Sequence, residues 1–171
     1  MTDPYDLPQL VCVGHVHFIV TNLERSIAFY RAVLGFHITE DMRTEPQPRA
    51  VTFLAAEDAA HHHVALMEMS HFQPVPSGYA GLYHVAFLYP SRYTLALAVK
   101  HILDLGYPID HCHDYGTGEA VNLRDPDGIP LELYYSLAPE VWPRVDGQVR
   151  VYNRKIEVDV LLEELERQEQ I

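Results

Sequence analysis

The sequence predicts an α+β fold made of two β-α-β-β-β units followed by a C-terminal helix, on three observations. The order strand, helix, three strands occurs twice along the chain. The two helical segments end alike, in LGF at 34–36 and LGY at 105–107. Each unit also carries a histidine in its first strand, His15 in one and His84 in the other. Self-similarity of this kind marks an internal repeat. One such unit is too small to bury its sheet alone, so the two are expected to pack around a shared cavity.

A Pro-containing lead, residues 1–9, precedes the repeat, which spans 10–136 as units of about 10–72 and 80–136. Leu10–Val20 (LVCVGHVHFIV) is apolar and β-branched, which predicts a buried strand. Asn22 is a good helix N-cap, Leu23, Ile27, Tyr30, Val33 and Leu34 repeat at helical spacing, and Gly35 sits where the helix should stop. Three strands follow at Phe36–Asp41, Ala50–Ala55 and His63–Met69, separated by polar and Pro-containing stretches. The second unit gives a strand at Leu82–Tyr89 and a helix over Pro90–Leu105, opened by Ser91 and closed by Gly106. Its remaining strands fall at Ile109–His113, Ala120–Arg124 and Leu131–Ser136. Beyond them lies a tail, 137–171, Pro- and charge-rich at first and then forming a short amphipathic helix over Val158–Gln168. It is expected to be a packing or oligomer-contact appendage.

Composition narrows the function. Twelve Lys and Arg against 24 Asp and Glu leave a formal charge of −12, which repels nucleic acid and anionic membrane. No apolar run approaches the roughly 20 residues of a membrane span, and the acidic first ten residues do not resemble a signal peptide, so a cytoplasmic protein is expected. Cys12 and Cys112 have neither metal-motif spacing nor disulfide density and are expected to be reduced, small structural fillers. Histidine is the unusual residue, with eleven copies, several beside apolar runs.

His15 and His84 stand 69 residues apart at equivalent places, and Glu132 follows 48 residues later on the last strand of the second unit. Three such side chains from strands opening on one cavity can form a two-histidine, one-carboxylate metal set that leaves adjacent coordination positions free. Core histidines and a solvent-facing glutamate are the plainer alternatives. His17 shares a strand face with His15, about 7 Å along at roughly 3.3 Å per residue, and could replace it as ligand. The helix spacing favours His15. The run His61, His62, His63 reads as a solvated loop or a weak adventitious metal site. DPDG at 125–128 reads as a turn that places the strand carrying Glu132, with Arg124 before it a surface charge.

GHVHFIVTNLERSIAFYRAVLGF at 14–36, GLYHVAF at 81–87 and NLRDPDGIPLELYY at 122–135 together resemble the vicinal oxygen chelate superfamily of glyoxalase I, extradiol dioxygenases and fosfomycin-resistance proteins. HHHVALMEM at 61–69, GLYHVAFLYPSR at 81–92 and the tail look most like catechol 2,3-dioxygenases. The resemblance implies a half-barrel sheet in pseudo-twofold arrangement around a metal cavity. It also implies Fe(II) held by His15, His84 and Glu132, acid-base work by His62, and His17, Tyr115 and Asn122 near a catechol-type substrate that reacts with O₂. A homodimer or larger homo-oligomer goes with it. Two departures stand out: Asn122 where relatives commonly carry a tyrosine, and Tyr115 where they carry a histidine. The alternatives are a glyoxalase I-like lyase or isomerase using Ni, Zn or Co, and a non-catalytic small-molecule-binding module. In the first, a carboxylate of the first unit joins the metal; the matching position reads as Leu66, with Glu68 two residues on as the rival.

Overall fold

Asn22 sets the first helix. Its backbone is extended and its side chain accepts the Arg25 N–H, so α1 (Leu23–Ala32) starts with one of its free donors satisfied. Gly35 then adopts φ +75°, the left-handed turn that glycine enters without steric cost. The computed structural model describes residues 12–43, 50–57, 61–73 and 80–168. The expected lead therefore lies outside the described residues.

α1 follows β1 (Val16–Val20) and precedes β2 (His37–Asp41), β3 (Val51–Ala55) and β4 (Val64–Glu68). These four make one sheet in the order β1-β4-β3-β2, with β1 parallel to β4. The second unit repeats the plan with β5 (Val85–Tyr89), α2 (Arg92–Asp104), β6 (His111–Asp114), β7 (Gly118–Arg124) and β8 (Pro130–Ser136). Here β5 runs parallel to β8. Ser91 and Thr94 form a reciprocal capping box at the start of α2. The strands match the expected ones to within a few residues, except that the first is shorter. Among the described residues it starts at Val16, with 12–15 outside it, because ladder bonding begins where Val16 N–H reaches His63 O, at 2.9 Å; the expected positions 10 and 11 lie outside the described residues.

Alternation divides each sheet into two faces. In β1, Phe18 and Val20 are buried while His17 and Ile19 are exposed on the other side. One apolar core joins both units, with Phe36 edge-on to Phe87 at 5.2 Å and Phe29 against Tyr107 at 5.0 Å. A polar latch supplements it. Within the turn at 125–128, Asp125 Oδ1 accepts the N–H groups of Asp127 and Ile129, which aims Asp127 at the first unit. There its carboxylate accepts from Thr21 N at 3.2 Å, the Thr21 hydroxyl, Arg25 at 2.7 Å and, more distantly, the Ser26 hydroxyl. Below it the buried Tyr30 hydroxyl donates to Asp125 at 3.5 Å, and burial raises both their pKa values. Arg124 is not a bare surface charge, since it pairs with Asp110 at 3.1 Å.

The tail packs within the chain, the first of the two roles expected of it. Asp146 and Gly147, both at positive φ, turn a small hairpin of β9 (Arg144–Val145) and β10 (Gln148–Val149). β11 (Arg154–Ile156) then adds antiparallel to β6, giving the second sheet the order β11-β6-β7-β8-β5. α3 (Val158–Gln168) buries Leu161, and Arg92 bridges Glu119 of β7 at 2.6 Å and Glu164 of α3 at 3.0 Å. Cys112 is buried as a filler should be, whereas Cys12 is exposed. No helix among the described residues is long and apolar enough to cross a membrane.

Gly118 shows how tightly β7 and β8 pack. A Cβ there would lie 2.0 Å from the Tyr135 carbonyl oxygen and 2.7 Å from the Tyr134 hydroxyl. Gly118→Ala is expected to destabilise the protein by about 1–3 kcal/mol through overpacking, read as a lower midpoint in urea.

Candidate metal centre

Strand register decides which side chains can meet. Val85 lies opposite Leu131 and Ala86 opposite Glu132, so Glu132 takes the cavity face of β8 with His84 just before β5. His84 Nε2 and Glu132 Oε1 stand 3.7 Å apart, too far for a hydrogen bond. The other oxygen, Oε2, accepts from the Tyr115 hydroxyl at 3.3 Å. Burial and the Glu132 charge push the Tyr115 pKa up to about 12. Glu132 is 6% exposed, so its charge sits in a poorly hydrated place facing an imidazole.

His15 lies just before β1, with its ring 4.4 Å from that of His62. His62 also touches Phe53, at 4.9 Å, and its Nδ1 is 2.6 Å from His61 Nδ1. Burial first, then the neighbouring histidines His15 and His61, lower its pKa. His63 turns elsewhere, accepting the Ala56 N–H. Of the three consecutive histidines, then, His62 is the one set against His15, and the plain solvated-loop alternative does not describe it. His17 follows on the same exposed side of β1. Among the described residues no three His, Cys, Asp or Glu side chains close into one metal-holding group. The structure thus brings together His84, Glu132 and Tyr115 in one group and His15 and His62 in another.

The first unit places no carboxylate at the position matching Glu132; Glu40, which shares the face of His17 through Ala65 and Phe53, pairs with His61 at 3.3 Å. β1 and β4 pair as β5 and β8 do, with Val16 opposite Val64 and His17 opposite Ala65. The counterpart of Glu132 is therefore Ala65, one residue from the expected Leu66, which is fully buried against the helix side. Glu68 lies opposite the buried Val20 and accepts the Leu23 N–H at 2.9 Å, capping α1 on the far side of the sheet.

Asn122 lies between His111 of β6 and Glu132 of β8 in register, and its Nδ2 is buried without an acceptor. His84 Nδ1 and His113 Nδ1 are likewise buried and unpartnered. Sequence reasoning passed over His111 and His113. The alternation H-x-H-x-Y from 111 to 115 was the available signal, because it sets three side chains on one strand face. His113 does stack on Tyr115, at 5.9 Å between ring centroids, and packs on His111 at 4.7 Å.

Comparison with known proteins agrees with this plan. The chain is 30% identical to a catechol-2,3-dioxygenase of Bacillus subtilis (strain 168) over 155 residues, which is 89% of this chain and 51% of that protein. It is 26% identical to a manganese-dependent 2,3-dihydroxybiphenyl 1,2-dioxygenase of Geobacillus genomosp. 3, over 74% of this chain and 38% of the relative. The chain therefore spans about half the length, or less, of these two relatives. A glyoxylase/bleomycin resistance protein/dioxygenase domain from Frankia sp. EAN1pec superposes with a TM-score of 0.64 at 20% identity, covering 75% of this chain and 99% of that one. A model of one family matches residues 13–133, and by that match the chain belongs to the Glyoxalase/Bleomycin resistance protein/Dioxygenase superfamily.

Proposed function

We propose that the chain is an Fe(II)-dependent extradiol dioxygenase that opens the ring of a catechol-type aromatic diol with O₂. The observation that carries this reading over a glyoxalase I-like one is the pairing of His17 with Ala65, while Glu68 caps α1. The position matching Glu132 in the first unit thus holds no carboxylate, and Glu40, which does share this face, pairs with His61 at 3.3 Å. His84, Glu132 and His15 are the residues that would hold the metal, and what supports this is the His84 imidazole set against a buried carboxylate that keeps one oxygen free of hydrogen bonds. A divalent ion there would neutralise Glu132, take up the two vicinal oxygens of the diol and O₂, and let electron density pass between them.

The chain's own residues do the rest. Tyr115 holds Glu132 Oε2 and so fixes the carboxylate's orientation, as hydrogen-bond partners of metal ligands do. His62, whose Nδ1 is engaged by His61, has Nε2 available to take a proton from a diol hydroxyl and return it to the opened product. His17 and Asn122 border the substrate. Asn122 has no acidic proton, so it serves as a fixed hydrogen-bonding group where a tyrosine could also exchange a proton. A second copy of the chain is the partner this reading expects, beyond substrate and oxygen.

The test is oxygen uptake by anaerobically iron-loaded protein offered a panel of catechols, beside a metal-free sample. Iron-dependent uptake matched by a ring-opened product is expected. Iron bound with no uptake across the panel, together with anaerobic turnover of 2-oxoaldehyde thiol adducts on Ni, Zn or Co, would overturn it in favour of the lyase or isomerase.

A further inference from the structure

A connection between two strands ordinarily lies open on the surface. The one joining β6 to β7 does not: Gly116 and Thr117 within it, and Gly118 at the start of β7, are buried. The tail covers them. The Tyr115 N–H donates to the Gly118 carbonyl at 2.9 Å and closes the turn, with Gly116 at φ +74°. A Cβ on Gly116 would lie 2.6 Å from the Tyr152 ring and 2.9 Å from Pro143, so both tail side chains rest directly on its backbone. The Arg150 N–H, bonded to the Pro143 carbonyl at 2.8 Å, keeps those two stretches of tail side by side.

Hydrogen bonds tie the same part of the tail to the residues leading into the turn. The Tyr152 N–H donates to the Tyr115 carbonyl at 3.2 Å. The Tyr152 hydroxyl donates to Asp114 Oδ2 at 3.3 Å, and Arg154, opposite Asp114 in register, donates to the same oxygen at 2.5 Å. The other oxygen of Asp114 accepts the Gly116 N–H at 2.7 Å. One carboxylate thus grips the tail with one oxygen and the turn with the other. Between Asp114 and Gly116 stands Tyr115, whose hydroxyl donates to Glu132 Oε2. That hydroxyl is the far end of a long rigid side chain, so a small rotation of the turn displaces it, and at 3.3 Å the bond has little length to spare. The glycine that follows Tyr115 offers the backbone no steric restraint of its own.

We propose that Tyr152 and Arg154 are positioning residues for the metal centre: held to the Tyr115 carbonyl and to Asp114, they fix the turn from which the Tyr115 hydroxyl orients Glu132. The proposal rests on the assignment of Glu132 as a metal ligand made above, and not on the reaction that metal serves.

Cobalt(II) affinity, measured by equilibrium dialysis on the full chain, tests it without turnover. Tyr152→Ala with Arg154→Met is expected to weaken cobalt binding about tenfold, the low end for loss of a partner that orients a metal ligand. Arg154→Met alone, at a side chain 67% exposed, gives a smaller loss in the same direction. Arg154→Lys keeps a donor for Asp114 and most of the affinity. In a Tyr115→Phe background the pair of substitutions has no further effect, because the hydroxyl through which the tail acts is gone. Arg92→Met, which loosens α3 instead, lowers the melting temperature and leaves cobalt affinity unchanged. A change of under about twofold in the folded pair overturns the proposal, as does the full loss persisting beside Tyr115→Phe. Arg92→Met weakening cobalt binding as much as the pair overturns it too, by making the effect one of general loosening. Glu132→Gln separates the two claims. If it abolishes cobalt binding while the tail substitutions change nothing, the metal site stands and the positioning role falls. If it leaves cobalt binding unaltered, the metal site falls and the positioning role with it.

Discussion

His84→Ala is expected to remove metal binding and turnover together. The imidazole Nε2 is the group facing Glu132 Oε1, at 3.7 Å, and nothing else among the described residues approaches that oxygen within hydrogen-bond reach. Partners that merely orient a ligand are worth about 10–100-fold in affinity or activity, so removing a ligand itself should exceed that, to about 1,000-fold or more. Metal retained after dialysis, read by plasma mass spectrometry, and oxygen uptake report the two effects. The His84 side chain is 28% exposed and is not among the side chains of the apolar core, so circular dichroism should be unchanged. A variant that keeps both metal and activity would remove His84 from the site.

The second large effect lies away from the chemistry. Asp127→Ala deletes a carboxylate that is 7% exposed and receives hydrogen bonds from Thr21, Arg25 and Ser26 across the junction between the units. Arg25 is half-exposed and can return to water, but the Thr21 N–H at the head of α1 loses its acceptor. A loss of about 2–4 kcal/mol is expected. For a chain of this size that lowers the melting temperature by roughly 5–15 °C, with Asp127→Asn recovering part of it. A melt within about 1 °C of the unaltered protein would show that the apolar core alone joins the units.

Much of the architecture was legible because its signals are local. Asn22 and Ser91 as caps, Gly35 and Gly106 as stops, and helical spacing between them mark both helices without reference to anything distant. β11 was not legible. It is three residues long, reads Arg-Lys-Ile, and exists because β6, some forty residues earlier, presents an edge to it. The Asp146-Gly147 hairpin did carry a signal, the D-G pair, hidden among prolines and charges. At the site, the repeat was enough to pair His84 with Glu132. It could not separate Leu66 from Ala65, because a one-residue difference in register moves a side chain to the opposite face and only the ladder settles it. Asp127 looked like part of a turn; its hold on Thr21 spans 106 residues and leaves no local trace.

The pairing of β11 with β6 also matters during synthesis. β6 ends at Asp114 and β11 begins at Arg154, so the ribosome adds some forty residues before the strand that covers this edge emerges. At the usual elongation rate the delay is roughly 2–8 s. Throughout it the nascent second sheet presents an open ladder, and α2 lacks the helix that later lies on it. Slow codons between 115 and 153 would lengthen this exposure, and soluble yield should fall accordingly.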